Sequence, residues 1–183
     1  DRTVSLPGPL QRGAVQRLTG VVMEPGGKGV NVARVLSNAG RAATTVLPAA
    51  ENDPILTALG ALELPGLTVR SVPVAGPARI NTAVTEPDGT TTKLNELGAG
   101  LSEEEIDAVE QALLETLTLT GVSAEADTHH WAVLSGSLPP GAPARWYARL
   151  VGLLREAAPG LRIAVDTSDA VSYTHLRAHE TVL

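Results

Sequence analysis

The segment Glu24-Pro25-Gly26-Gly27-Lys28-Gly29 combines the residue types that hold a small anion. Consecutive glycines let backbone N–H groups approach a ligand closely, and a helix starting there directs the positive end of its dipole at it. Lys28 adds a full charge, and Asn31, one turn on, offers a hydrogen bond to a hydroxyl. The segment is neither of the two familiar nucleotide loops. Gly29 follows Lys28 where a P-loop needs Ser or Thr, Val22 stands where that loop's first Gly belongs, and no G-x-G-x-x-G spacing is present. Taken alone, it also fits a tight turn whose glycines merely let a helix pack on a strand.

Arg79 and Lys93 mark a second candidate. The run Arg79 to Glu86 reaches Pro87-Asp88-Gly89, a turn sequence, and returns as Thr90 to Asn95. An antiparallel pair closed there brings its open ends together, so Arg79 and Lys93 are placed to converge on one phosphate, with Asn81 and Asn95 nearby. Arginine supplies a bidentate fork and lysine a point charge. The alternative is a pair of solvated surface charges. Composition weakens it: of 14 basic residues only Lys28 and Lys93 are lysines, and each falls in a candidate site.

Ser135-Gly136-Ser137 follows a short apolar run, the place where open α/β sheets bind ligands, and sets the Ser137 hydroxyl within reach of a substrate. It is no nucleophile elbow, because Pro139 stands where G-x-S-x-G needs its last Gly. Without the other motifs it reads as a plain turn. His129 and His130 are adjacent, so their side chains diverge on a strand, and no Cys or carboxylate cluster accompanies them at ligand spacing. No metal site is expected. Glu103, Glu104 and Glu105 fit the first turn of a helix, where acids complement the dipole.

These residues belong to a chain of 183 residues with a formal net charge of −6, 43% hydrophobic and 19% charged residues, and no Cys. The composition is globular, without a disulfide framework, a signal-peptide pattern or a run approaching the ~20 apolar residues of a spanning helix. A soluble, cytoplasmic protein is expected, with no membrane partner. The acidic balance and the lack of a basic stripe argue against nucleic acid as a partner.

The elements that must position these residues follow from periodicity. Thr3 to Leu6 and Val15 to Met23 read as strands around Pro7-Gly8-Pro9. A helix opens at the glycine turn and stops at Asn38-Ala39-Gly40; a buried strand spans Ala42 to Leu47; Pro54 opens a second helix. Leu67 to Val74 is a strand, and the hairpin of 79–95 follows it. Ser102 and Glu105 form a capping box before Ile106, Val109, Leu113, Leu114 and Leu117. Trp131 to Leu134 is a short buried strand, a helix runs through Trp146, Leu150 and Leu154, and Ile163 to Val165 is another strand. The alternation predicts βαβ units around a parallel sheet, with the Thr- and Val-rich hairpin in a separate small sheet, a lid over one edge.

Taken together, Glu24 to Arg34, Arg79-Ile80-Asn81, Thr92-Lys93-Leu94-Asn95-Glu96 and Leu134 to Gly141 resemble, in order, the PfkB branch of the ribokinase-like sugar kinases. The resemblance runs from Asp1 to about Ala170. The Gly-Gly-Lys-Gly form and the Thr-Lys-Leu-Asn-Glu hairpin end look most like the members acting on fructose 1-phosphate. It implies a ribokinase-like three-layer α/β/α domain with a β-sheet lid over 2–23 and 78–96, a lid that also tends to form a homodimer contact. It implies transfer of the γ-phosphoryl group of ATP, with Mg²⁺, to the 6-hydroxyl of fructose 1-phosphate. By motif match, Asp1, Gly27 and Asn31 would hold sugar hydroxyls; Lys28, Arg79, Lys93 and Ser137 would surround the phosphate already on the sugar, with Asn95 also contacting substrate. Related members acting on fructose 6-phosphate or tagatose 6-phosphate share these motifs, and a non-catalytic sugar-phosphate binding module would keep the same residues.

The departures from the family pattern lie at the ends. Asp1 looks like the last residue of the family's Asn-Pro-x-Leu-Asp segment, and the strand expected before it is absent. The Asn-x-x-Glu segment that helps place Mg²⁺ and the Gly-Ala-Gly-Asp that carries the catalytic base are also absent. The chain is therefore expected to be a domain truncated at both ends, 1–170, with no catalytic base of its own and no kinase activity alone. Residues 171–183 change composition abruptly, resemble a translated sequencing adapter, and are set apart as a non-native tail.

Overall fold

Two kinds of sheet divide the chain. In chain order the elements are β1 (Arg2–Ser5), β2 (Gly20–Met23), α1 (Lys28–Asn38), β3 (Ala43–Ala49), α2 (Pro54–Gly60), β4 (Leu67–Pro73), β5 (Asn81–Thr85), β6 (Thr91–Asn95), α3 (Glu103–Leu119), β7 (Trp131–Ser135), α4 (Trp146–Ala157), β8 (Arg162–Asp166) and β9 (Thr181–Val182). This computed structural model describes residues 1–122 and 130–166, and the backbone of 181–182.

The first sheet has the order β2-β1-β5-β6, with β1 antiparallel to β2 and parallel to β5, and β5–β6 the hairpin expected at Pro87-Asp88-Gly89. Strand alternation puts Val4 and Val84 on one side, where they cluster with Leu6. Val21, Met23 and Leu94 extend that apolar side and are about half exposed. Thr3, Asn81, Ala83, Lys93 and Asn95 occupy the other side. The strand expected over Val15 to Met23 is shorter: it begins at Gly20, opposite Ser5, because β1 ends before Pro7; Thr19 N still donates to the Ser5 carbonyl at 2.9 Å, and residues 15–18 have no ladder partner.

The remaining sheets are parallel: β3-β4, and β7-β8-β9. β9 lies in the stretch set apart on sequence grounds. Alternation along β3 turns Leu47 and Ala49 toward α1 and α2, where they pack with Val30 and Leu59. Val46 on the opposite side joins the larger core of Val72, Ile106, Val109, Leu134, Trp146, Leu150, Leu154 and Val165, built from α3, α4 and the strands. The result is a helix–sheet–helix sandwich in three layers. Leu154 and Val165 are completely buried, each contributing on the order of 2 kcal/mol through apolar burial. Trp131, expected to be buried, is half exposed at the start of β7, with the Arg162 guanidinium 5.5 Å from its ring centroid.

The helix starts follow local chemistry. Ser102 and Glu105 form the reciprocal capping box on α3, and Asp53 caps α2 with Pro54 in the first turn. α1 differs: its N-cap is Gly27 at φ 104°, and no side chain caps it. β3 and β7 are not paired with each other; α1 packs on both, and a cleft of about 1030 Å³ runs between their edges and α3.

Candidate functional site

The uncapped start of α1 lies beside the carboxyl end of β7. A Cβ built on Gly29 would sit 3.2 Å from Ser135 Oγ, so the small residue permits this close approach. Ser135 pairs in register with Asp166, and the Asp166 carbonyl accepts from Gly136 N at 3.0 Å. Tyr147 Oη donates to the Gly136 carbonyl at 2.7 Å, fixing the turn that presents Ser137. Lys28 Nζ donates to Asp166 Oδ1 at 2.8 Å, an ion pair open to water on both sides.

Arg79 approaches from the other sheet. It stands just before β5 because Ile80 N donates to Glu96 Oε2 at 2.9 Å, so the strand begins at Asn81 and not at Arg79 as expected. Its guanidinium donates to Ser137 Oγ at 2.5 Å. Asp1 completes this side: Oδ1 accepts from Asn81 Nδ2 at 3.4 Å, and its backbone pairs with Glu24. The Asp1 carboxylate lies directly over Gly26, where any Cβ would overlap it.

The structure thus joins Arg79 to Ser137, Asp1 to Asn81 and the Gly26 backbone, and Lys28 to Asp166. Gly27 and Asn31 stand exposed on the first turn of α1. Asn95 lies opposite Asn81, and Lys93 opposite Ala83, further along the ladder from Arg79 than a shared end would place it. Among the described residues, the side chains of Asn31, Lys93 and Asn95 make no hydrogen bond. Two buried side-chain oxygens among the described residues have no partner, Asn81 Oδ1 and Ser135 Oγ, and both are here. Buried polar atoms without a partner are rare in folded proteins, and each calls for a water, an ion, a ligand or strain to account for it.

Neither Ser135 nor Asp166 was singled out as a site residue from sequence. In the sequence Ser135 is only part of a turn, and Asp166 has no local signal, since its partner Lys28 is 138 residues away. His129 lies outside the described residues. Among the described residues, no three His, Cys, Asp or Glu groups gather as a metal ion would require, and no helix is long and apolar enough to cross a membrane. Glu105 is held below the ordinary glutamate value by the backbone amides of Ser102 and Ala75, which confirms a capping role for this acid.

A three-layer α/β body with a separate sheet whose strand ends meet the start of α1 defines a ribokinase-like sugar kinase fold. No family model matches the chain. Its relatives place it more narrowly. It is 36% identical over 170 residues to a 1-phosphofructokinase of Rhodobacter capsulatus, covering 92% of this chain and 50% of that protein. It is 32% identical over 155 residues to the ATP-dependent 6-phosphofructokinase isozyme 2 of Escherichia coli, covering 83% and 45%. The solved structure of Escherichia coli phosphofructokinase-2 in complex with fructose-6-phosphate superposes with a TM-score of 0.77 at 27% identity, covering 93% of this chain and 52% of that one. The chain is a PfkB-like carbohydrate kinase chain, similar in sequence to the 1-phosphofructokinases. It spans about half the length of the curated relatives it matches.

Proposed function

We propose that the chain carries the sugar-phosphate-binding half of a kinase that phosphorylates fructose 1-phosphate to fructose 1,6-bisphosphate with ATP, and that it is inactive alone. The observation that carries this reading is the pair of orphaned buried oxygens, Asn81 Oδ1 and Ser135 Oγ, set among Asp1, Lys28, Arg79 and Ser137. A polyhydroxy sugar bearing a phosphate satisfies both kinds of group at once: its hydroxyls donate to the free oxygens and to the Asp1 carboxylate, while its phosphate accepts from cations and helix-end amides.

In this reading Asp1, Gly27 and Asn31 take the sugar hydroxyls. Lys28, Arg79, Lys93 and Ser137 take the phosphate end, and Asn95 also contacts the substrate. Arg79 is already oriented toward Ser137, so less side-chain entropy is lost when the phosphate arrives. Phosphoryl transfer depends on position and charge, and holding the acceptor hydroxyl still is what these residues contribute. In such kinases ATP would supply the transferred phosphoryl group and magnesium would neutralise its charge; among the described residues no cluster of carboxylates gathers to hold the ion. The base that accepts the hydroxyl proton belongs to a part of the intact kinase beyond this chain.

A second reading takes fructose 6-phosphate as acceptor, favoured by the likeness to 6-phosphofructokinase isozyme 2. Calorimetric titration of the chain with fructose 1-phosphate, fructose 6-phosphate and fructose separates the two. Tightest binding of fructose 1-phosphate is expected, and equal binding of fructose itself would refute a phosphate site. A coupled assay with ATP should show no turnover; turnover would refute inactivity.

A further inference from the structure

The connection between β4 and β5, residues 74–80, carries Arg79 from the layered body to the four-stranded sheet. Three of its backbone amides are held by carboxylates from three separate places: Ala75 N by Glu105 Oε1 at 2.6 Å, Ala78 N by Asp53 Oδ2 at 2.6 Å, and Ile80 N by Glu96 Oε2 at 2.9 Å. Asp53 is the buried one, 4% exposed. Its other oxygen, Oδ1, accepts from Ile55 N at 3.0 Å and caps α2.

A helix cap needs one acceptor, which Ser, Thr or Asn supplies as well as Asp. What the carboxylate adds is a second acceptor without a donor, and it is directed at Ala78, the residue before Arg79. Ala78 is thereby tied to the layered body, while Ile80 is tied to the end of β6 through Glu96. Arg79 is the residue between the two tethers. There is little slack around it, since a Cβ on Gly98 would meet Arg79 Cβ at 3.2 Å.

We propose that Asp53 is a positioning residue of the anion site, fixing through Ala78 the backbone from which Arg79 reaches Ser137. The inference rests on the reading of Arg79 as a phosphate ligand given above. Burial makes the tether effective: an amide–carboxylate bond out of water is not exchanged for a solvent bond at little cost, as an exposed one is.

Two measurements on the full 183-residue chain test it. Asp53→Ser leaves an oxygen for the α2 cap and removes the reach to Ala78. Modification of Arg79 by phenylglyoxal, mapped by mass spectrometry, is expected to quicken several-fold in this variant while Arg145 and Arg155 react as before. An unchanged Arg79 rate, or a rise at every arginine, overturns the proposal. Asp53→Asn retains the cap but turns its amide toward Ala78; it should repeat the increase and covers the case that the serine variant fails to fold. In titrations with fructose 1-phosphate, Asp53→Ser should weaken binding about tenfold, the scale of one charge-assisted hydrogen bond. Combined with Arg79→Ala it should add nothing further, whereas an additive loss would mean that Asp53 does not act through Arg79. Should the unmodified chain bind fructose 1-phosphate no better than fructose, the phosphate-site reading falls, and the labelling rates still decide the role of Asp53.

Discussion

Lys28 and Asp166 are 138 residues apart in sequence and 2.8 Å apart in space, the ammonium at the start of α1 and the carboxylate at the end of β8. Both side chains are more than a third exposed, so the pair orients Lys28 more than it stabilises the fold. An anion arriving at Lys28 therefore meets a carboxylate already in place. Asp166→Asn is expected to tighten binding of inorganic phosphate several-fold, most at low salt, where exposed charges are least screened. Titration at two ionic strengths checks this; weaker binding in the variant would show that orienting Lys28 outweighs the competition.

Lys93→Ala should weaken fructose 1-phosphate about tenfold and leave fructose unaffected, because a point charge recognises the phosphate and not the hydroxyls. Lys93 makes no hydrogen bond among the described residues, so the loss registers in binding and not in the denaturation midpoint. Equal weakening of both ligands would remove Lys93 from the phosphate end.

Gly26→Ala places a methyl group on the Asp1 carboxylate. The overlapped atoms are the end of an exposed side chain that can swing aside, so little stability should be lost. Gly27→Ala meets open space but carries φ 104° with ψ 138°, a region almost confined to glycine, and the backbone alone should cost about 1–3 kcal/mol. Urea denaturation compares the two. Only Gly26→Ala should also displace Asp1 and so weaken sugar binding beyond its effect on stability.

Acid should destabilise the chain through its capping and turn carboxylates. Glu105 is lowered by the amides of Ser102 and Ala75, and Asp88 by the amide of Thr90. A carboxyl whose folded value is depressed contributes stability fully above its unfolded value, here 4.5 for glutamate, and loses it as pH falls through the folded value. Glu105→Gln should thus be less stable than the unmodified chain near neutrality, and the two denaturation midpoints should converge as pH drops below that range. Parallel midpoints would show that ionisation of Glu105 plays no part.

Val21, Met23 and Leu94 leave the apolar side of the four-stranded sheet half exposed. If this sheet forms the contact of a homodimer, as the family resemblance implies, Val21→Asp should lower the association constant measured by sedimentation without changing the circular dichroism spectrum. Unchanged association would point to another face.

The elements most legible in sequence were those whose causes are local. Ser102 and Glu105 lie three residues apart and cap α3 as expected, and Pro87-Asp88-Gly89 turns the hairpin. The glycine turn likewise opened α1 where predicted, though it leaves the helix without a side-chain cap. What sequence did not disclose depends on distant partners. Asp53 carries no signal in the sequence for its hold on Ala78, 25 residues away, and Ser135 looks like a turn residue until α1 packs over it. The overlong strand at Val15 to Met23 failed for a related reason: residues favouring extended backbone form no ladder where their neighbour has already ended.

The place of β1 inside its sheet sets the order in which the protein matures. Hairpin β5–β6 closes over a short turn and can form within microseconds, as local pairs do. β1 must then find β5 across some 80 residues and align parallel to it, a search whose entropy is lost before any contact repays it. Asp1 meets Asn81 only when that search ends. The polar side that gathers Asp1, Asn81 and Arg79 is thus a late product of folding, formed after the hairpin that supplies half of it, and a chain caught earlier would hold its cations without the carboxylate of Asp1.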